Sequence, residues 1–390
     1  MKEIYQEVSG SESATLYQVQ SIQAVASIWQ ALEAKTQAHF FLSWFWMGSW
    51  LELISPVTQV YFFCYRQNSD VKAICFLTLC PATRKKGLVR LTQLQMNEYL
   101  TGPYNMVNGY SGMLMEPGFE QAAWNKLIKT AQAFNNTWDE FYISSLEKQQ
   151  RMYCEAALGN LTPLEDKKCY VWAKPLPPSD TTEDGLIETF KRKTRQQLRQ
   201  TIKAFADIGT VKIELASNLT QAKEFFILMD ETHSQRWQAV GKQGSYVNQV
   251  WVRFHEKLME RYFDAGLILL FKVSLDDKAV GYLYGHCYRN KIFMHQTGFP
   301  HLEDNRLRAG YLSHYLAILH SVRQGRSEYD LLPDFAGCYK KFFVEQGDEI
   351  VWLALRRDRL IFKWETLIER LKSLKHKKDS DEAAHENQNN

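Results

Sequence analysis

Pro175, Pro177 and Pro178 divide a chain of 390 residues whose two sides spell the same order of elements. Proline fixes φ and offers no backbone donor, so neither a helix interior nor a central strand runs through such a cluster. The polar stretch that follows, to Gly185, is the best domain boundary in the chain. Before it, Ile22, Val25, Ile28, Trp29 and Leu32 recur at helical spacing, and a second, aromatic helix covers 43–54. Three strand-like runs follow at 59–66, 71–80 and 88–94, then a Gly/Asn/Tyr-rich loop over 97–118. A helix at 119–134, a strand at 140–144, a helix at 148–158 and a strand at 169–173 close this half, and residues 1–15 read as loose.

The second half repeats the series. A basic helix spans 186–206, a strand 211–215, and helices 219–238 and 249–263. A meander at 267–274, 279–288 and 292–297 turns tightly at Asp276-Asp277 and Arg289-Asn290. Then come a loop at 298–309, a helix at 310–324, a strand at 327–332, a helix at 338–344 and a strand at 349–355. The order predicts two copies of one α/β fold, each lobe with a mixed, largely antiparallel sheet flanked by helices. The lobes are 1–175 and 186–371, and a polar tail, 372–390, is expected to be disordered.

Composition narrows the function classes. Hydrophobic residues are 45% and charged residues 23%, which excludes a disordered chain. Lys+Arg 47 against Asp+Glu 44 gives a net charge of +3, without the basic excess of a nucleic-acid binder. Seven Cys with no C-x-x-C pair fit a reducing cytoplasm. The acidic, polar N-terminus is no secretory leader, and the longest apolar stretch, 39–54, contains Glu52 and is too short to span a bilayer. The aromatic cluster 40–50 reads as a buried helix at the interdomain seam. No P-loop, G-x-S-x-G elbow, zincin or dinucleotide fingerprint occurs. His286 and His295 lie on adjacent meander strands, where strict alternation sets Tyr284 opposite His295. No histidine pair, and no metal site, is expected there.

The element order resembles that of the GNAT N-acetyltransferase fold. The second half is further similar to the tandem-GNAT proteins called CelD-like, relatives of the FemAB aminoacyl transferases. The resemblance rests on the basic helix from Phe190 to Arg199; on Thr232, His233, Arg236, Trp237 and Gly241; on Thr297-Gly298-Phe299 with Ala309-Gly310 opening a helix; and on Tyr329 to Phe342, which contains Asp330, Asp334, Tyr339 and Lys340. It implies transfer of an acetyl or acyl group from acyl-CoA to an amine, with a sugar or cell-envelope precursor as acceptor. Two other readings stand beside it: a FemAB-type transfer from aminoacyl-tRNA, and a non-catalytic scaffold in polysaccharide assembly. The family's pyrophosphate loop corresponds to the stretch with Arg306, Arg308 and Gly310, where an anion meets a helix N-terminus. The first-half loop lacks the pattern, so one coenzyme site is expected, in the second half.

Acyl transfer to nitrogen requires a neutral amine and donors for the oxyanion. Asp330, at a strand's carboxyl end, and Asp334, on the loop after Pro333, are candidates to orient the amine or take its proton. Tyr339 is a candidate donor to the leaving thiolate, and Lys340 a holder of phosphate or oxyanion. Asp334 equally reads as a helix N-cap, and Lys340 as a surface residue. His233, Arg236 and Trp237 share one helix face and are candidates for substrate binding, or for packing at a helix end. Lys191, Arg192, Lys193, Arg195 and Arg199 read either as phosphate contacts or as a solvated face.

Overall fold

The computed structural model describes residues 1–134, 136–239, 241, 245–366 and 368; the polar tail 372–390 lies outside the described residues. The first half runs β1 (Lys2–Ser9), β2 (Glu12–Gln18), α1 (Ile22–Glu33), α2 (Trp44–Ile54), β3 (Val60–Gln67), β4 (Asp70–Arg84), β5 (Val89–Met96), β6 (Leu114–Met115), α3 (Glu120–Phe134), β7 (Glu140–Glu147), α4 (Lys148–Ala156) and β8 (Thr162–Pro175). The second runs α5 (Glu183–Glu188), α6 (Arg192–Ala206), β9 (Val211–Leu215), α7 (Leu219–Ala239), α8 (Gln249–Tyr262), β10 (Ile268–Leu275), β11 (Lys278–Tyr288), β12 (Lys291–Gly298), α9 (Ala309–Arg323), β13 (Glu328–Asp330) and β14 (Glu345–Arg356).

Three expectations change. Residues 1–15 are not loose: β1 and β2 form a hairpin across Gly10 (φ +59°), and β2 pairs onto β3. The basic helix is two, α5 and α6, because the chain turns at Thr189 to bury Phe190. The helix expected at 338–344 is only a 3-10 turn, Tyr339–Phe342. Gly337 in the left-handed region (φ +82°) starts it late, and β14 ends it at Glu345.

The basic residues of α6 lie mostly on its exposed face. Arg195 and Arg199 both pair with Glu188, while Leu198 and Phe205 face the core.

The strands form one sheet in the order β1-β2-β3-β4-β5-β7-β14-β8-β13-β12-β11-β10-β9. Each half contains a meander followed by a parallel partner: β5 beside β7, and β12 beside β13. The final strands are exchanged. The first half's β8 pairs with β13 of the second, and the second half's β14 pairs with β7 of the first. β8 and β14 then pair with each other along most of their length and fuse the two sheets. The cores follow the strands: Val351, Leu353 and Leu355 of β14 lie in the first half's core, and Trp172 of β8 in the second's.

The aromatic helix α2 sits at the seam, as its composition predicts. Ser43 caps it, accepting from Trp46 N, and Phe45 and Trp46 pack edge-on against Tyr262 and Phe254 of α8.

Candidate active site

In each half, two parallel strands part after three paired residues. β5 and β7 pair at Gln93–Gln95 with Glu140–Tyr142, and β12 and β13 pair at Lys291–Phe293 with Glu328–Asp330. Beyond those residues the halves differ.

The first-half gap is filled by the chain's own segment 108–113. Ser111 N donates to Ser145 O (3.0 Å), Asn97 Nδ2 to Gly112 O (2.6 Å) and Ser145 Oγ to Asn108 O (2.8 Å). Asn108 N donates to Glu98 Oε1 (2.7 Å), and Trp46 Nε1 donates to Asn108 Oδ1 (2.7 Å). Glu98 is 1% exposed, and burial pushes its carboxyl up to about 8.

The second-half gap opens instead onto a cavity of about 310 Å³, walled by His295, Asp334 and Lys340 together with Val107, Lys167 and Trp352. A larger pocket of about 780 Å³ adjoins it at the seam, lined by Trp46, Asn105, Asn248, Trp251, His255 and His295 among others. Val107 and His295 line both. Among the described residues, no Asp, Glu, Lys or Arg lines the larger pocket.

β12 carries a bulge at His295. Tyr284 pairs with Gln296 and the next residue, Gly285, with Met294, which leaves His295 as the extra residue. Phe293, two residues earlier on the same strand, pairs with His286, so His295 shares the sheet face of His286 and Tyr284. The expectation of no histidine pair is therefore corrected. The rings of His295 and His286 lie 5.5 Å apart and those of His295 and His255 4.7 Å apart. His255 Nδ1 and Tyr284 Oη share a hydrogen bond of 2.9 Å. Burial and then Lys340 hold the His295 imidazole down to about 4. Burial holds those of His255 and His286 well below the usual range. Among the described residues, no group of His, Cys, Asp or Glu has the arrangement of a metal site.

The residues singled out in the sequence do not all come together. Asp334 and Lys340 meet in the smaller cavity's wall, at 3.3 Å, with Lys340 Nζ also donating to Leu332 O (3.0 Å). Tyr339 stands next to them, 48% exposed, with its ring 6.2 Å from that of buried His314. Asp330 is 3% exposed and faces the first half: Tyr110 Oη donates to Oδ2 (2.6 Å) and Leu332 N to Oδ1 (2.6 Å). Burial pushes its carboxyl up to about 6.

Arg306, Arg308 and Gly310 surround the start of α9, whose N-terminus has no side-chain cap among the described residues. Arg306 is forked onto Asp304, and the Arg308 guanidinium lies over the Tyr311 ring. Gly310 packs beside Phe299, where a Cβ would stand 3.3 Å from the ring.

His233 is buried in the core with its ring against Tyr246 and Nε2 3.2 Å from Gln296 Nε2, and it lines neither cavity. The side chains of Arg236 and Trp237 lie outside the described residues. Sequence reasoning missed His255, Trp46 and Asn108 as parts of the site, and the role of His295 in joining its two cavities. The one local sign was the polarity of His295 directly after the apolar run Ile292-Phe293-Met294.

Residues 192–341 match the family model described as the acetyltransferase (GNAT) domain. No curated protein matches the chain. Among solved structures, the chain is similar to the crystal structure of FemX, with a TM-score of 0.55 at 10% identity over 90% of this chain and 99% of that one. It is also similar to a conserved protein of unknown function from Bacteroides thetaiotaomicron, with a TM-score of 0.50 at 14% identity over 86% of this chain and 98% of that one. Both likenesses concern the fold. With the repeated element order and the two parting strand pairs, they identify the molecule as a tandem GNAT fold related to that of FemX, with a GNAT domain in its second half.

Proposed function

We propose that this protein is an N-acyltransferase that moves an acyl group from a coenzyme A thioester to an amine, with a single site in the second half. The observation that carries this reading is the parting of β12 from β13 at His295, between two cavities. One cavity accommodates the thioester and the other the acceptor. The α9 N-terminus, free of a side-chain cap among the described residues, suits the coenzyme's phosphates. The first-half gap is already occupied by 108–113, which supports one site rather than two.

Within this reading, Lys340 stabilises the oxyanion, Asp334 holds Lys340, and Tyr339 protonates the departing thiolate. Asp330 acts as a positioning residue that ties β13 to Tyr110. The larger pocket has aromatic faces in Trp46 and Trp251 and amides in Asn105, Asn248 and Gln249. That lining suits an uncharged polyol ring such as an amino sugar with its nitrogen neutral. Seven free cysteines support a reducing, cytoplasmic setting.

Calorimetric titration with acetyl-CoA checks the reading. One site per chain is expected, and two equivalent sites or none would contradict it. Native mass spectrometry with longer acyl-CoAs and tRNA separates the alternatives. Retained tRNA favours aminoacyl transfer, and retention of neither favours a scaffold.

A further inference from the structure

We propose that His295 is the base that takes the proton of the attacking amine, with His255 and His286 forming a buried imidazole cluster behind it. The inference rests on the acyl-transfer reading above. Of the two residues that line both cavities, Val107 and His295, only His295 has a titratable side chain. Its direction follows from the strand's alternation: Phe293, two residues earlier, pairs with His286, so His295 lies on the sheet face of His286 and Tyr284.

The polar atoms of the cluster are short of partners. His295 Nδ1, His255 Nε2 and both ring nitrogens of His286 are buried with no hydrogen-bond partner among the described residues. An unsatisfied buried polar atom is destabilising, so such a cluster calls for a polar ligand or a proton to carry. The neighbouring carboxylates are already engaged, Asp330 by Tyr110 and Asp334 by Lys340. Burial and Lys340 keep the imidazole of His295 neutral, which is the form able to accept a proton. The Tyr284 hydroxyl fixes His255 and, with it, the wall behind His295.

The transfer balances without any further reactant. The amine nitrogen forms a C–N bond to the thioester carbonyl carbon, and the C–S bond breaks. One N–H proton passes to a ring nitrogen of His295, and the thiolate takes the Tyr339 hydroxyl proton, which Tyr339 regains through solvent. His295 then returns its proton to water.

Bromoacetyl-CoA tests this without knowledge of the acceptor. Its electrophilic carbon occupies the position of the acyl group and alkylates a free imidazole there, with loss of bromide. Peptide mapping of the wild-type chain should find one label, on His295, suppressed by excess acetyl-CoA. His295→Gln should lose the label while its acetyl-CoA affinity stays within about twofold, since the base acts in the transition state. Binding of bromoacetyl-CoA with no label on His295, or with the label on Cys169 in the same cavity, overturns this inference alone. A chain that binds no acyl-CoA overturns the acyl-transfer reading, and this inference with it.

Discussion

Single side chains at the seam are tuned by burial more than by charge. Glu98 is the clearest case, with its carboxyl pushed up to about 8 beneath the segment that fills the first-half gap. Between its ordinary range and that value, the folded chain holds a proton that the unfolded chain has released. Stability therefore falls as pH rises across that window. Glu98→Gln keeps the oxygen that accepts from Asn108 N and removes the titration. Its melting temperature should exceed the wild type's by roughly 2 °C or more near pH 8, with a smaller difference near pH 5. A difference independent of pH would show that Glu98 does not titrate there. Asp330 acts in the same sense over a lower window, ending at about 6. At this scale the sequence was informative where chemistry is local. Asp334 and Lys340 stand six residues apart after a short strand and do meet. The partner of Asp330 is 220 positions away, which no local pattern reveals. His295 was misjudged by one residue of register, because a bulge leaves no mark in the alternation of a short strand.

Elements were legible in proportion to their burial and the sharpness of their turns. The second-half meander could be read because Asp276, Arg289 and Asn290 adopt positive φ in its two tight turns. The first hairpin was missed because β1 is an edge strand with nearly every side chain exposed, so no apolar alternation signals it. The segment 108–113 looked like open loop, yet its tip is locked between strands. Gly109 has no room for a Cβ, which would meet the Phe41 ring at 2.7 Å. Gly109→Ala should cost about 1–3 kcal/mol, read as a lower urea midpoint at unchanged slope. An unchanged midpoint would show that the segment sits loosely in its gap.

The whole molecule departs most from what two copies of one fold imply, since each half completes its sheet with the other's last strand. A fragment covering only the first half lacks Val351, Leu353 and Leu355 from its core and leaves β7 as an open edge. Expressed alone, it should fail to give a cooperative melt, whereas the full chain should unfold in one calorimetric transition. Two well-separated transitions would contradict this. The repeat was legible because helix and strand periodicities are local. The exchange was not, because the choice of neighbour for β8 and β14 is decided across the sheet. On the ribosome this arrangement becomes a matter of timing. β14 ends at Arg356, so the amino-terminal half must wait for some 180 further residues, roughly ten to forty seconds at about 5–20 residues per second. Throughout that interval an apolar strand edge is exposed, and the nascent chain should be a client of chaperones until its last strand emerges and both halves close together.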